Sequence, residues 1–125
     1  MIQLRALSIV AIAFAISAAS LSAADISGTW KASFDTQIGQ QNYTYTFVVK
    51  DGALTGKAQS EMGGTTDIRD GKIDGDKVSF VEVFKYQDME IQITYTGKVT
   101  SADEIKFTRQ VADFATEELV AKRAK

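Results

Sequence analysis

The sequence predicts an all-β domain folded as an eight-stranded antiparallel up-and-down β-barrel, with a two-sheet β-sandwich as the alternative. Apolar and polar residues alternate over most of residues 29–123, as they do in strands that bury one face. Gly- and Asp-rich turn sequences interrupt this alternation about every twelve residues. The chain contains no Pro, so every strand position keeps its N–H donor. We expect the sheet to close, because an open eight-stranded sheet would leave two edges unpaired.

Each predicted strand has its own alternating set of apolar residues. In the first strand Trp30, Ala32 and Phe34 alternate with polar residues, and in the second strand aromatic residues alternate with Thr. The segment over residues 65–73 is the least regular of the eight. The predicted strands cover residues 30–35, 43–50, 54–60, 65–73, 78–84, 89–99, 105–111 and 116–123.

Short turns join these strands. Asp-Gly pairs suit tight hairpins because Gly adopts the positive φ that such turns need without steric cost. The predicted turns lie at Asp51-Gly52, residues 62–64, Asp70-Gly71, residues 74–76 and residues 101–103.

The last predicted element, residues 116–123, could form either a strand or a short helix. Ala, Glu, Leu and Lys favour helices, and Thr116 could cap one. We predict a strand, because closing the barrel needs an eighth strand beside the first. Leu119, Ala121 and Arg123 alternate as such a strand requires.

Residues 1–24 carry the three parts of a secretory signal peptide. Arg5 supplies the positive charge, residues 7–16 form a short apolar stretch, and residues 17–24 are mostly small, with cleavage predicted before Asp25. A membrane anchor would need about twenty apolar residues. We therefore expect an exported protein, periplasmic or secreted, with one domain over residues 25–125 and no membrane span after cleavage.

The composition excludes several classes of chemistry. The chain has no His and no Cys, which excludes Ser-His-Asp and Cys-His nucleophile systems and the usual zinc, haem and iron–sulfur sites. We predict no cofactor and no metal. The 14 Lys and Arg residues face 16 Asp and Glu without forming a basic cluster, which argues against nucleic acid as a partner.

Two acidic features of the sequence are candidate sites. Asp67, Asp70, Asp74 and Asp76 could suggest calcium, but their spacing does not fit an EF-hand loop and Asp beside Gly is ordinary turn chemistry. Glu82 continues an apolar face of its strand, where a carboxylate could work as an acid or base. A hydrolase that uses carboxylates and tyrosines therefore stays open as an alternative, although the sequence favours a binding module over an enzyme.

The predicted lumen is rich in aromatic residues with two charged residues among them. Glu82 and Arg109 each continue an apolar face, so they could anchor the polar end of a ligand inside the barrel or form an internal ion pair. Alternatively Val81 and Val83 face inward and leave Glu82 in solvent. The predicted ligand-binding residues of the lumen are Tyr43, Tyr45, Phe47, Phe80, Glu82, Phe84, Tyr95, Phe107 and Arg109.

Gly28-Thr29-Trp30, at the start of the first strand of a small exported barrel, resembles the lipocalin (calycin) group. True lipocalins are longer and usually carry a helix after the barrel. The chain is more similar to short bacterial exported domains that carry the sequence of residues 70–76 and end like residues 114–123; these domains are largely uncharacterised. The resemblance implies that Trp30 lies across the closed end of the barrel and that Arg123 packs on its ring, a cation–π contact worth about 0.5–2 kcal/mol.

These observations lead to a functional expectation. We expect a protein of the cell envelope that binds a small, mainly apolar ligand in an aromatic-lined lumen. The alternative from another class is a structural or protein-interaction domain with a filled core, whose partner would be another envelope protein. Small residues such as Ala32, Gly56, Ala58 and Gly97 distinguish the two, because they leave room in the lumen only if they face inward and nothing else fills the space.

Overall fold

A computed structural model describes residues 24–124 of the chain. It contains nine antiparallel strands, which coincide with the segments of alternating apolar and polar residues. Eight of them form the closed up-and-down barrel that the sequence predicts, and β4 is a short extra strand. The strands are β1 Gly28–Thr36, β2 Gly39–Lys50, β3 Ala53–Ser60, β4 Gly64–Asp67, β5 Arg69–Asp74, β6 Lys77–Tyr86, β7 Met89–Ser101, β8 Glu104–Val111 and β9 Ala115–Arg123. The predicted signal peptide lies outside the described residues except for Ala24.

The barrel closes through β1, which pairs with β2 on one side and with β9 on the other. The contact with β9 is short, with Trp30 opposite Arg123 and Lys31 opposite Lys122. On the other side of β2, eight residue pairs from Tyr43–Ser60 to Lys50–Ala53 join it to β3. All eight barrel strands therefore have two neighbours, which confirms the closed barrel over the sandwich.

The irregular segment predicted as one strand is two short strands that follow each other along β3. β4 pairs with the end of β3, β5 pairs with its beginning, and Ile68 between them donates its N–H to the carbonyl of Gly56 at 3.0 Å. The interruption explains the weak alternation over residues 65–73.

The predicted turn at Asp70-Gly71 is wrong, because both residues lie inside β5 where the pairing register shifts. Asp70 has a φ of 52°, and the displaced residue is typical of a β-bulge. A Cβ on Gly71 would lie 2.0 Å from the carbonyl oxygen of Leu54. Only glycine lets the two backbones approach this closely.

The last element is a strand, as predicted, and not a helix. β9 pairs with β8 along eight residues, from Glu104–Lys122 to Val111–Ala115. Its inward residues Leu119 and Ala121 are buried and its neighbours Val120 and Lys122 are exposed. Pairing with β8 and β1 outweighs the modest helix preference of this segment.

The two ends of the barrel differ in their connections. The β1–β2, β3–β4, β6–β7 and β8–β9 connections lie at one end, here called the upper end. The residues before β1 and the β2–β3, β5–β6 and β7–β8 connections lie at the other, the lower end. Within residues 24–124 no helix is long and apolar enough to cross a membrane.

Candidate functional site

Below the upper end of the barrel, aromatic side chains pack against one another inside the lumen. Phe80 stacks on Tyr95 with ring centroids 4.3 Å apart, and Phe107 meets both rings edge-on at 5.6 and 5.7 Å. Tyr45 and Phe47 complete the cluster, and every member is at most 2% exposed. These contacts are the geometries that aromatic rings favour in a packed core.

Small inward residues make room for these rings. A Cβ on Gly97 would lie 2.4 Å from Cδ1 of Phe107, so the space that this glycine leaves belongs to the Phe107 ring. Ala32 and Ala58 are also buried in the core. In this part of the barrel Gly97 therefore accommodates an aromatic side chain and does not enlarge a ligand cavity.

Trp30 and Arg123, for which the resemblance implies a contact, lie at the lower end of the barrel. The Arg123 guanidinium lies 4.6 Å from the centroid of the Trp30 ring. It also donates hydrogen bonds to the backbone carbonyls of Ser27 at 2.8 Å and Ala102 at 3.0 Å. Trp30 is fully buried and donates its indole N–H to the carbonyl of Ile26.

Above the aromatic cluster, Glu82 lies inside the barrel and is 1% exposed. Its two carboxylate oxygens accept hydrogen bonds from the hydroxyls of Tyr43 and Tyr95, each at 2.8 Å. The Tyr95 hydroxyl lies 2.9 Å from that of Tyr45. Since Tyr95 donates its one hydroxyl hydrogen to Glu82, Tyr45 is the donor in the contact between the tyrosines.

Arg109 lies next to Glu82 and is 5% exposed. Its Nε donates to the Tyr95 hydroxyl at 2.9 Å and its Nη2 to the Tyr43 hydroxyl at 3.0 Å. Its Nη1 lies 2.5 Å from Oε1 of Glu117 on β9, whereas its Nη2 is 4.0 Å from Oε1 of Glu82. Glu117 is therefore the closer of its two counter-charges.

Burial governs the titration of this cluster. Removal from water raises the pKa of Glu82, and the hydrogen bonds from Tyr95 and Tyr43 and the charge of Arg109 oppose that rise. Burial also raises the pKa of Tyr43, and it raises the pKa values of Tyr45 and Tyr95 well above their ordinary range. The three hydroxyls therefore stay protonated and keep donating hydrogen bonds at neutral pH.

A cavity of about 190 Å³ opens above the cluster at the upper end of the barrel. Tyr43, Arg109, Glu117 and Gln41 supply its polar floor. Ile38 from the β1–β2 turn and Phe114 from the β8–β9 turn line its mouth and are 66% and 59% exposed. The remaining wall residues are Thr36, Gln37, Phe84, Ile91, Ile93, Val111 and Ala115.

The predicted lumen residues thus fall into three groups. Tyr43, Phe84 and Arg109 line the cavity. Glu82 lies behind this surface and bonds to Tyr43. The remaining five belong to the filled aromatic core: Tyr45, Phe47, Phe80, Tyr95 and Phe107.

Sequence reasoning missed several residues of the cavity. Glu117 and Gln41 continue the inward alternation of β9 and β2, so extending each pattern by two residues would have found them. Ile38 and Phe114 lie in turns, where alternation carries no information about direction. Their place at the cavity depends on how the β1–β2 and β8–β9 turns fold over the barrel end.

The four Asp residues at 67, 70, 74 and 76, whose clustering in the sequence could suggest calcium, are exposed on the surface. Asp67 pairs with Lys57 at 2.7 Å, and Asp76 lies 3.9 Å from Lys98. Over residues 24–124 no three His, Cys, Asp or Glu side chains come together in a group that could hold a metal ion.

Comparison of the chain with protein-family models, curated proteins and solved structures finds no match. The chain is an eight-stranded antiparallel β-barrel domain with no family assignment.

Proposed function

We propose that this protein is a lipocalin-like exported binding protein that holds a small, mainly apolar ligand in the cavity at the upper end of the barrel. The observation that supports the proposal most is the composition of this cavity. Its walls are largely aliphatic and aromatic, and a few buried polar groups converge on its floor. Sites for small organic ligands have this character.

The size of the cavity limits the ligand. Its volume of about 190 Å³ is smaller than the roughly 300–1,000 Å³ of pockets for drug-sized molecules. An apolar cavity of about 150 Å³ is nevertheless large enough for benzene. We therefore expect a molecule of about one ring with a short substituent, and we do not expect a long lipid chain enclosed along the barrel axis.

Exposed apolar side chains at the mouth of the cavity would contribute to the affinity for a ligand. Ile38 and Phe114 are large apolar residues that face solvent on two turns beside the opening. A ligand in the cavity would cover part of both side chains. Removal of apolar surface from water contributes about 25 cal/mol per Å², so these residues would add to affinity.

Native mass spectrometry tests whether the protein carries a ligand. The full chain is expressed in a bacterium, and the folded protein is purified without detergent. We expect an added mass that disappears on denaturation, or one that appears after incubation with small aromatic and aliphatic compounds. A bare polypeptide mass under both conditions would contradict the proposal.

A pair of matched variants tests whether the ligand occupies this cavity. Ala115→Leu places three additional carbons in the wall of the cavity, whereas Ala53→Leu makes the same change at an exposed position at the start of β3. We expect Ala115→Leu to weaken binding at least tenfold and Ala53→Leu to leave it unchanged. Equal affinity in the two variants would place the ligand elsewhere.

A second candidate, docking of a protein partner at the upper end, is favoured by a different observation. Each connection at this end carries or adjoins an exposed apolar residue: Ile38, Met62, Met89 and Phe114. Glu61, Asp88 and Asp113 lie in the same connections, which hold no Lys or Arg. The complementary partner is a protein surface with an apolar centre and basic residues around it.

Met89 separates the two candidates because it does not line the cavity. Met89→Ser would weaken a protein complex at the upper end and leave small-ligand binding intact. Chemical cross-linking in the cell envelope with the parent and this variant identifies a partner that depends on Met89. A ligand bound equally by both proteins, with no such partner, favours the cavity.

A further inference from the structure

The floor of the cavity contains one cation and one anion. Among the described residues that line it, Arg109 is the only Lys or Arg and Glu117 is the only Asp or Glu. An apolar carboxylate, such as a short fatty acid or a benzoate, would be drawn to a free guanidinium because charge-assisted hydrogen bonds are the strongest kind. Whether the site accepts such an anion depends on how far Arg109 is already neutralised.

Arg109 already has its counter-charge in place. Glu117 faces it directly in the β8–β9 register, with 2.5 Å between Nη1 and Oε1. The side chains of Arg109 and Glu117 are only 6% and 10% exposed. The ion pair is therefore shielded from solvent. A ligand carboxylate could take the place of Glu117 only by leaving the carboxylate of Glu117 buried and without a counter-charge.

Glu82 is a second carboxyl group close to Arg109, and its ionisation affects the net charge at the floor of the cavity. Its Oε1 lies 4.0 Å from Nη2 of Arg109 and it shares the two tyrosine hydroxyls with the guanidinium. When Glu82 is neutral, the charges of Arg109, Glu117 and Glu82 sum to zero. When Glu82 is ionised, they sum to one negative charge. A ligand carboxylate would meet no net attraction in the first case and repulsion in the second.

Hydrogen-bonding capacity for a neutral group remains at the floor. Arg109 carries five N–H hydrogens, and its contacts with Tyr95, Glu117 and Tyr43 use one each. Gln41 also lines the cavity, and within residues 24–124 its amide nitrogen donates a hydrogen bond only to the weak acceptor Sδ of Met62, at 3.3 Å. Both residues can donate to an oxygen that carries no charge.

We infer that the cavity selects an uncharged apolar molecule with one hydroxyl or carbonyl group, of the phenol, alcohol or ketone class, and discriminates against a carboxylate of the same size. The inference rests on the proposed ligand-binding function and specifies its ligand. Glu117 is the residue that determines the selectivity, because it neutralises Arg109 before any ligand arrives.

Two probes of similar size test this inference on the full chain, expressed and purified without detergent. 4-Ethylphenol is neutral at neutral pH, and 4-methylbenzoate is an anion of nearly the same shape. Isothermal titration gives the dissociation constant of each. We expect the phenol to bind at least about tenfold more tightly, since a charged group left without a partner costs at least the 1.4 kcal/mol that equals one decade in affinity.

A matched pair of variants tests the role of Glu117. Glu117→Gln keeps the shape of the side chain and removes the charge that neutralises Arg109, so we expect the affinity for 4-methylbenzoate to rise about tenfold. Glu118→Gln makes the same change at the next residue, which is exposed on the outer face of β9. We expect this control to leave the ratio between the probes unchanged.

The outcomes separate the inference from the function on which it rests. If 4-methylbenzoate binds the unaltered protein as well as 4-ethylphenol does, the inferred selectivity is overturned while ligand binding stands. The same conclusion follows if Glu117→Gln and Glu118→Gln shift the ratio equally. If neither probe binds, the inferred ligand class is overturned, and the native mass spectrometry described above decides separately whether the proposed function fails as well. The ratio measured on the unaltered protein decides the question even if Glu117→Gln does not fold.

Discussion

Arg109 and Glu117 face each other across the β8–β9 pair, and Nη1 of the arginine lies 2.5 Å from Oε1 of the glutamate. The same guanidinium reaches the hydroxyls of Tyr43 and Tyr95, which hold the buried carboxylate of Glu82. One side chain thus joins β9, the strand that closes the barrel, to the polar groups of the lumen. Its contacts link the stability of the barrel to the polarity of the cavity.

Replacing Arg109 with Met tests this link through stability. The variant keeps much of the side-chain volume but leaves Glu82 and Glu117 without their buried counter-charge. We expect the free energy of unfolding, measured by urea denaturation, to fall by about 3–5 kcal/mol. Arg69→Met, at an exposed position of β5, should change it by no more than about 0.5 kcal/mol. Similar losses in the two variants would show that the buried ion pair has no special weight.

Glu82 should make the protein less stable as the pH rises above its ordinary pKa of 4.5. Burial raises the pKa of Glu82 in the folded protein, so the folded state binds this proton more tightly than the unfolded chain does. Linkage then gives a contribution to the free energy of unfolding that is greatest below the unfolded pKa. This contribution is lost as the pH rises through the folded pKa.

Glu82→Gln isolates that contribution, because glutamine does not titrate and can still bond to Tyr43 and Tyr95. We expect the stability of the variant relative to the parent to increase between pH 4.5, the ordinary pKa of Glu82, and neutral pH. Urea denaturation of both proteins at matched pH values measures the difference. A difference that stays constant over this range would mean that the pKa of Glu82 is the same in the folded and unfolded states.

Arg123→Ala tests the contact at the lower end of the barrel. The variant removes the cation–π contact with Trp30 at 4.6 Å and the hydrogen bonds to the carbonyls of Ser27 and Ala102. We expect a loss of about 1–3 kcal/mol in the free energy of unfolding. Trp30 is the only tryptophan, so its fluorescence reports the local change directly.

Lys122→Ala is the matched control for that variant. Lys122 lies beside Arg123 on β9, and its side chain, which pairs with Glu104, is exposed to solvent. We expect a smaller loss of stability than for Arg123→Ala, because exposed ion pairs contribute little, and no change in the fluorescence of Trp30. If the two variants lose the same stability, the stacking of Arg123 on the tryptophan contributes nothing beyond a surface contact.

Gly97→Ala tests whether side chains fill the lumen around Phe107. The new methyl group would lie 2.4 Å from Cδ1 of that ring, so the side chains must shift. Overpacking of this kind costs about 1–3 kcal/mol. Phe107→Leu combined with Gly97→Ala should lose less stability than the sum of the two single changes, because the smaller side chain relieves the clash. Strict additivity in thermal or urea unfolding would mean that the space beside Phe107 is not tight.

Expression in a bacterium tests whether the predicted signal peptide directs export and is cleaved. We expect the exported protein to begin at Asp25, because Ser22 and Ala24 satisfy the preference of signal peptidases for small residues. Intact-mass measurement of the periplasmic or culture fraction checks this start. Ala24→Arg, which places a bulky charged residue at the cleavage point, should leave the precursor uncleaved. An uncut chain in the cytoplasm from the parent sequence would contradict the prediction.

The fold could be predicted from the amino-acid sequence, because strands and turns are specified by local features. Alternation at Trp30, Ala32 and Phe34 marks a strand whatever lies around it, and Asp51-Gly52 suits a tight turn for the same local reason. The one predicted turn that failed, Asp70-Gly71, shows the limit of this reasoning. The same pair also suits a bulge, and only the approach of β3 to β5 decides between them.

Which part of the barrel is filled and which part holds a cavity depends on how distant strands and turns pack together. Tyr45 and Tyr95 are 50 residues apart in the chain, and their hydroxyls meet at 2.9 Å only because β2 and β7 face each other across the lumen. Ile38 and Phe114 lie in turns without any periodic signal, yet both border the cavity. Packing between distant strands and the directions of turn residues are non-local properties. Alternation shows which residues face inward, but it cannot show which of them leave space for a ligand.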